Sequence, residues 1–342
     1  VHFVPVVDKE QKPLMPTTAN RAATWIKSGK ATPFWKRGIF CVRLNQEPSA
    51  RQRQEIAVGI DPGSKKEGFT AKSESHTYLN LQADAVTWVK AAVETRRNLR
   101  RARRNRNTPC RKPRFNRARG GLSPSTKARW QWKLRLCKWL SQMYPITQFV
   151  VEDICARTKK GQRRWNVSFG PLEVGKHWFE GELKKLAPVL LVPGYETFEM
   201  RRAAGLKKSK QKMSEVFAAH CVDSWVLANH WTGGHIKPDS EQMLLITPLR
   251  FHRRQLHVQN FKDGKRKLYG GTRSQGFKRG SLVKHPKYGL CYIGGTQKSR
   301  VSLHSLQDGK RLGLNAKPED IQFLTHNTWR LRAPLSVSVA EE

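Results

Sequence analysis

Short apolar runs closed by turn residues alternate along the first two-thirds of the chain with longer stretches of helical period. Ile56–Ile60 is a continuous apolar run that ends in Asp61-Pro62-Gly63-Ser64, the pattern of a buried strand stopping at a turn. Gly68–Ala71 and Tyr78–Leu81 follow as further strand-like runs, and the three predict an antiparallel meander. Val86, Val89 and Val93 then recur at helical spacing, and Leu99 and Ala102 continue the same narrow stripe. Residues 124–144 open on Ser-Pro-Ser-Thr and predict an amphipathic helix whose Trp130, Trp132 and Trp139 read as core. Ile146–Val151 is a β-branched run leading into Glu152-Asp153, Val189–Val192 before Pro193 is another buried strand, and Met213–Ala228 is a mostly apolar helix. Beyond Gly233-Gly234, residues 240–333 break into short β-type runs split by Gly and Pro, such as Gly280–Val283, Gly289–Gly295 and Val301–Leu303. These predict a separate, partly closed β-rich barrel after an α/β layer of mixed sheet and flanking helices.

Charge changes that picture most. The 342 residues carry 65 Lys and Arg against 26 Asp and Glu, a net charge of +39. Self-repulsion of this size opposes compaction and calls for a polyanionic partner. A hydrophobic share of 38% still suffices for a core and excludes wholesale disorder. The acids are unevenly placed: the 57 residues between Glu94 and Glu152 hold none, but 17 Lys or Arg. Arg96, Arg97, Arg100, Arg101, Arg103 and Arg104 cover most of the circumference of the helix begun by the valines. Such a helix cannot lie flat on a core; it bridges two lobes against nucleic acid, with a solvated basic tail as the alternative. Arg offers phosphate a planar fork, which favours ordered recognition. No apolar run reaches membrane-spanning length, and the first residues are too soon charged for a signal peptide. Six scattered cysteines without a C-x-x-C pair argue against a zinc site and a disulfide framework, and a cytoplasmic location is expected.

The candidate chemistry lies at strand ends. Asp61 closes one buried strand, and Glu152, with Asp153, closes another. His220 and Asp223, three residues apart, share a face of the apolar helix. Carboxylates brought together from separate elements can hold two Mg2+ ions about 3.5–4 Å apart for phosphodiester hydrolysis. Oxygen ligands favour Mg2+ or Mn2+ over Zn2+, and His220 is placed to orient or deprotonate water.

The motifs resemble those of a known family. Lys12-Pro13-Leu14-Met15-Pro16 followed by Trp25–Ala31 is similar to the N-terminal PLMP motif of the IscB and IsrB proteins, transposon-encoded RNA-guided nucleases. Gly59–Lys65 resembles their first RuvC motif, Arg96–Arg106 their arginine-rich bridge helix, Val151-Glu152 their second RuvC motif and His220–Asp223 the third. IscB carries an inserted HNH nuclease between the second and third motifs. Here the 67 residues 153–219 hold one His (His177) and one Cys (Cys155), so the pattern resembles IsrB. The resemblance implies an RNase H-like (RuvC) core, with Asp61, Glu152, His220 and Asp223 catalytic and Glu152 preferred over Asp153. It implies a PLMP unit at 1–54, RuvC parts at 55–82 and 120–235, the bridge helix and basic linker at 83–119, and a C-terminal unit at 236–342 that reads a target-adjacent motif. Arg250, Arg253, Arg254, Arg273 and Lys278 are available there for phosphates or base edges. The implied activity is that of a monomeric nickase holding a long guide RNA, pairing it with double-stranded target DNA and cutting the displaced strand with Mg2+. A guide-independent resolvase or transposase, and a catalytically silent RNA-binding scaffold, are the competing readings.

Overall fold

The computed structural model describes residues 3–48, 51, 53–106, 121–155, 170–250, 257–259, 266–268, 275–297 and 299–334. The chain opens with β1 (Phe3–Val7), β2 (Pro13–Thr18), α1 (Ala19–Lys27), β3 (Ala31–Lys36) and β4 (Ile39–Leu44). These strands form a four-stranded sheet ordered β2-β1-β4-β3, with the PLMP residues on β2. Val4, Val6, Ala22, Ala31 and Val42 are its small core, and Thr18 caps α1 by accepting from the Arg21 N–H.

β5 (Ala57–Asp61), β6 (Lys66–Lys72) and β7 (Thr77–Asp84) are the expected meander. Next come α2 (Trp88–Asn105), α3 (Pro124–Leu140), β8 (Gln148–Asp153), α4 (Pro171–Leu183), β9 (Val189–Pro193), α5 (Gly194–Ala203) and α6 (Phe217–Thr232). β8 lies parallel to β5, and β9 parallel to β8. The sheet has a helix on each face, the layer of mixed sheet and flanking helices expected from the sequence. Alternation along β5 assigns the faces. Val58 and Ile60 point into the core built by Trp130, Leu134 and Leu136 of α3, while Ala57 packs with Leu227 and Ala228 of α6. On α3 only a narrow stripe of Pro124, Lys127, Gln131, Arg135 and Lys138 is exposed, and the three tryptophans are buried as expected.

Three expectations are corrected. The apolar helix starts at Phe217, not Met213, because Val216 is extended (φ −124°, ψ 153°) and the preceding residues form a loop. The arginine helix starts at Trp88, so Val86 lies before it; no residue of α2 is buried, and Leu99 is 65% exposed. The C-terminal strands do not make one separate barrel. β10 (Met243–Pro248) pairs with β7, and β18 (Trp329–Arg332) with β10, giving a seven-stranded central sheet ordered β18-β10-β7-β6-β5-β8-β9. Met243 and Leu245 pack with Trp225, while Trp329 meets Trp132 and Trp139 edge-on at 5.6 and 5.2 Å. Burial of these apolar side chains holds both strands on the central sheet.

Between β10 and β18 lie β11 (His257–Gln259), which pairs with β12 (Arg266–Leu268), and then β13 (Leu282–His285), β14 (Gly289–Gln297), β15 (Arg300–Ser305), β16 (Arg311–Ala316) and β17 (Gln322–Thr325). The last five form an open antiparallel sheet ordered β16-β15-β14-β13-β17, whose two edge strands do not pair with each other. Arg253, Arg254 and Arg273 lie outside the described residues, as do residues 107–120 of the basic linker. Among the described residues no helix is long and apolar enough to cross a membrane.

Candidate active site

Three elements, β5, β8 and α6, bring the sequence-predicted residues to one end of the sheet. Asp61 ends β5 and Glu152 lies near the end of β8, both on the α6 side by strand alternation. The same alternation turns Asp153 to the other face, where it accepts from Lys176 of α4 at 2.7 Å. That ion pair accounts for Asp153 without catalysis. α6 can approach because β5 and β6 present glycines to it. A Cβ on Gly59 would stand 1.8 Å from the Ser224 carbonyl oxygen, and one on Gly68 2.3 Å from that of His220. The close approach sets His220 Nδ1 3.0 Å from Asp61 Oδ2, and the neighbouring Thr70 and Ser224 hydroxyls meet at 2.8 Å.

Both nitrogens of His220 face acceptors: Asp61 on one side and the Lys212 carbonyl, at 2.9 Å from Nε2, on the other. Asp223 is nine-tenths and more buried, and its carboxylate accepts from Arg201 of α5 and from Lys208 of the loop between α5 and α6. The Lys208 ammonium also lies 3.5 Å from Asp61 Oδ2. Glu152 and Asp61 are hydrogen-bonded to each other. Burial, then the charge of Asp61, the hydrogen bond to it and the charge of Asp223, push Glu152 up to about 8. Burial also pushes Asp61 upward, but the His220 hydrogen bond and the charge of Lys208 outweigh it and leave the carboxyl below its ordinary value.

Beneath the turn after β5, Lys133 of α3 donates to Glu67 of β6 at 2.7 Å and to the Gly63 carbonyl at 3.3 Å. This buried pair fixes the turn that presents Asp61. A cleft of about 680 Å3 opens from Asp61 and His220 past Lys65, Arg129 and Lys212. None of these three cations pairs with a carboxylate among the described residues.

The three carboxylates supply only oxygen, the donor type a hard divalent ion prefers. Among the described residues, however, no group of three His, Cys, Asp or Glu is spaced as a metal cage. The chain's own cations, Arg201 and Lys208, lie on the Asp223 oxygens. The expected ligands are thus gathered, but around an ammonium. Sequence reasoning missed Arg201, Lys208, Glu67 and Lys133. The only signal for Lys208 was the run Lys207-Lys208-Ser209-Lys210-Gln211-Lys212 ahead of α6, which does not stand out in so basic a chain. The six arginines of α2 are exposed.

Two solved structures are similar at low identity. T. thermophilus RuvC in complex with a Holliday junction substrate is 11% identical, with a TM-score of 0.28 over 53% of this chain and 97% of that one. The yeast mitochondrial Holliday junction resolvase Ydc2 is 13% identical, with a TM-score of 0.27 over 54% of this chain and 80% of that one. No curated protein matches the chain. The family described as RRXRR protein matches residues 4–165, a span that runs from β1 through β8 and contains Arg100-Arg101-Ala102-Arg103-Arg104.

Proposed function

We propose that this chain is a RuvC-type, metal-dependent phosphodiester hydrolase and, more finely, an RNA-guided DNA nickase of the kind IsrB exemplifies. The observation that carries the reading is the convergence of Asp61, Glu152, His220 and Asp223 from separate elements at one end of a mixed sheet. The match to the RRXRR family, found in IscB- and IsrB-like proteins, supports it on independent grounds. Asp61, Glu152 and Asp223 would hold Mg2+ or Mn2+, which when bound lowers the pKa of the attacking water and stabilises the leaving oxygen. His220, held between Asp61 and the Lys212 carbonyl, would orient that water or, once Nε2 leaves the Lys212 carbonyl, deprotonate it. Lys65, Arg129 and Lys212 line the cleft through which a single strand reaches the carboxylates. The arginines of α2 present a cationic helix to a guide RNA and its heteroduplex with target DNA.

A single nuclease cuts a single strand. Between Glu152 and His220 the described residues are α4, β9 and α5, elements of the same layer, which leaves no second catalytic domain among them. The test uses the purified chain with the RNA that accompanies it, a supercoiled plasmid bearing the matching target, and Mg2+. Nicked circles are expected. Asp61→Ala abolishes nicking and keeps RNA-dependent DNA binding. A linear product would overturn the nickase assignment, cutting without RNA would turn the reading to a guide-independent resolvase, and nicking by Asp61→Ala would overturn the site.

A further inference from the structure

Lys208 is a resident of the carboxylate cluster, not of its surroundings. Its ammonium touches Asp223 Oδ2 and lies 3.5 Å from Asp61 Oδ2, so it spans two of the three acids read above as metal ligands. The loop that carries it is pinned on both sides. The Ser209 N–H donates to the Ala218 carbonyl at 2.8 Å, the Lys212 carbonyl accepts from His220, and the Ser214 carbonyl accepts from Gln82 Nε2 at 3.0 Å. Gly205, at φ +66°, makes the turn that leads from α5 into the loop. The lysine is therefore aimed at the acids by its backbone, while its four-carbon stem, 27% exposed, remains able to swing. Arg201 differs: it is anchored on α5, lies over the Phe198 ring at 5.4 Å and contacts Asp223 through the other oxygen, Oδ1.

We propose that Lys208 is the built-in counter-cation of the site. It holds Asp61 and Asp223 together before a divalent ion is bound, and an ion held by the same two carboxylates would have to displace it. Two buried carboxylates brought to one place without a cation repel each other. The Lys208 ammonium, in contact with both, offsets that repulsion and holds them together. It also sets a threshold, because a divalent ion has to outcompete it. Lys208 is thus a positioning residue, and this inference rests on the metal-dependent reading of the site.

The test measures Mn2+ binding to the full-length chain, free of nucleic acid, by titration calorimetry, with Asp61→Ala as the baseline for the site. Lys208→Met should bind Mn2+ about tenfold more tightly than the native chain, the factor expected when a competing ion pair of about 1.4 kcal/mol is removed. Lys208→Arg keeps the charge and should bind Mn2+ no more tightly than the native chain. With EDTA, Lys208→Met should melt below the native chain, and Mn2+ should close the gap. A second measurement needs no variant: reductive methylation of Lys208, read by mass spectrometry, should be slow without Mn2+ and fast with it. Equal or weaker Mn2+ binding by Lys208→Met, or methylation indifferent to Mn2+, overturns the role of Lys208 alone. Absence of Asp61-dependent Mn2+ binding in both proteins overturns the metal reading as well.

Discussion

Lys72 is as deeply buried as any core leucine, yet it ends in an amine. It donates to the carbonyls of Ser73 and Gly233 at 2.9 and 2.6 Å and to the Thr232 hydroxyl at 3.2 Å, 5.8 Å from the centre of the Trp225 ring. These contacts tie the end of β6 to the end of α6. Burial pulls its pKa down to about 8, against the charges of Asp239 and Glu74. The unfolded chain keeps the proton up to about 10.4, so between pH 8 and that value the unfolded state binds more protons than the folded one. The contribution of Lys72 to stability is therefore present above the unfolded pKa and lost as pH falls through 8. The stability difference between the native chain and Lys72→Met, from denaturant titrations at stepped pH, should shift in favour of the native chain from pH 8 to pH 10. A difference independent of pH would show that Lys72 does not titrate there. The sequence marks Lys72 only as one lysine among many. By contrast, Glu152 and Asp153 were legible as a pair, and strand parity chose between them once β8 was seen to run parallel to β5.

At the scale of elements, α6 governs the site because it lies almost on the backbone of β5 and β6. Gly59→Ala places a Cβ where the Ser224 carbonyl stands, with the Ala228 nitrogen 2.7 Å away, and neither atom belongs to a flexible side chain. The helix has to lift, which should cost about 3 kcal/mol in stability and separate His220 from Asp61. Gly181→Ala in α4 is the matched control: nothing lies within 4 Å of the added Cβ, and the change should stabilise by up to about 1 kcal/mol through helix propensity. Urea titrations of both variants check the pair, and a neutral Gly59→Ala would refute the tight packing. The sequence showed an apolar helix with His220 and Asp223 on one face. It did not show the break at Val216, because Met213 and Val216 continue the apolar pattern while being 57% and 44% exposed. The loop ahead of the helix bends away to bring the Lys212 carbonyl to His220 and Lys208 to the acids.

Across the whole molecule the charge of +39 is a field that no single contact explains. Each arginine that neutralises a phosphate releases a counterion, so affinity falls with salt by about 0.7 logarithmic units per decade and contact on a single strand. Replacing Arg96 and Arg100 with Ala should lower the slope of log affinity against log salt by about 1.4 for the proposed guide RNA, measured by filter binding from low to high salt. An unchanged slope would remove α2 from the nucleic-acid interface. The tryptophan trio of Trp132, Trp139 and Trp329 acts at this scale too, since it fastens the last strand to α3 across nearly two hundred residues of chain. The sequence alone determined the β5–β7 meander, α3, β8 and β9, where the positive charge concentrates, and which acids stand at strand ends, because period, turn residues and charge are local properties. Only the tertiary structure decided that β10 and β18 complete the central sheet, that Asp153 faces away, and that Arg201 and Lys208 sit on the carboxylates. Those outcomes depend on which surfaces meet, and a surface exists only when residues distant along the chain are packed together.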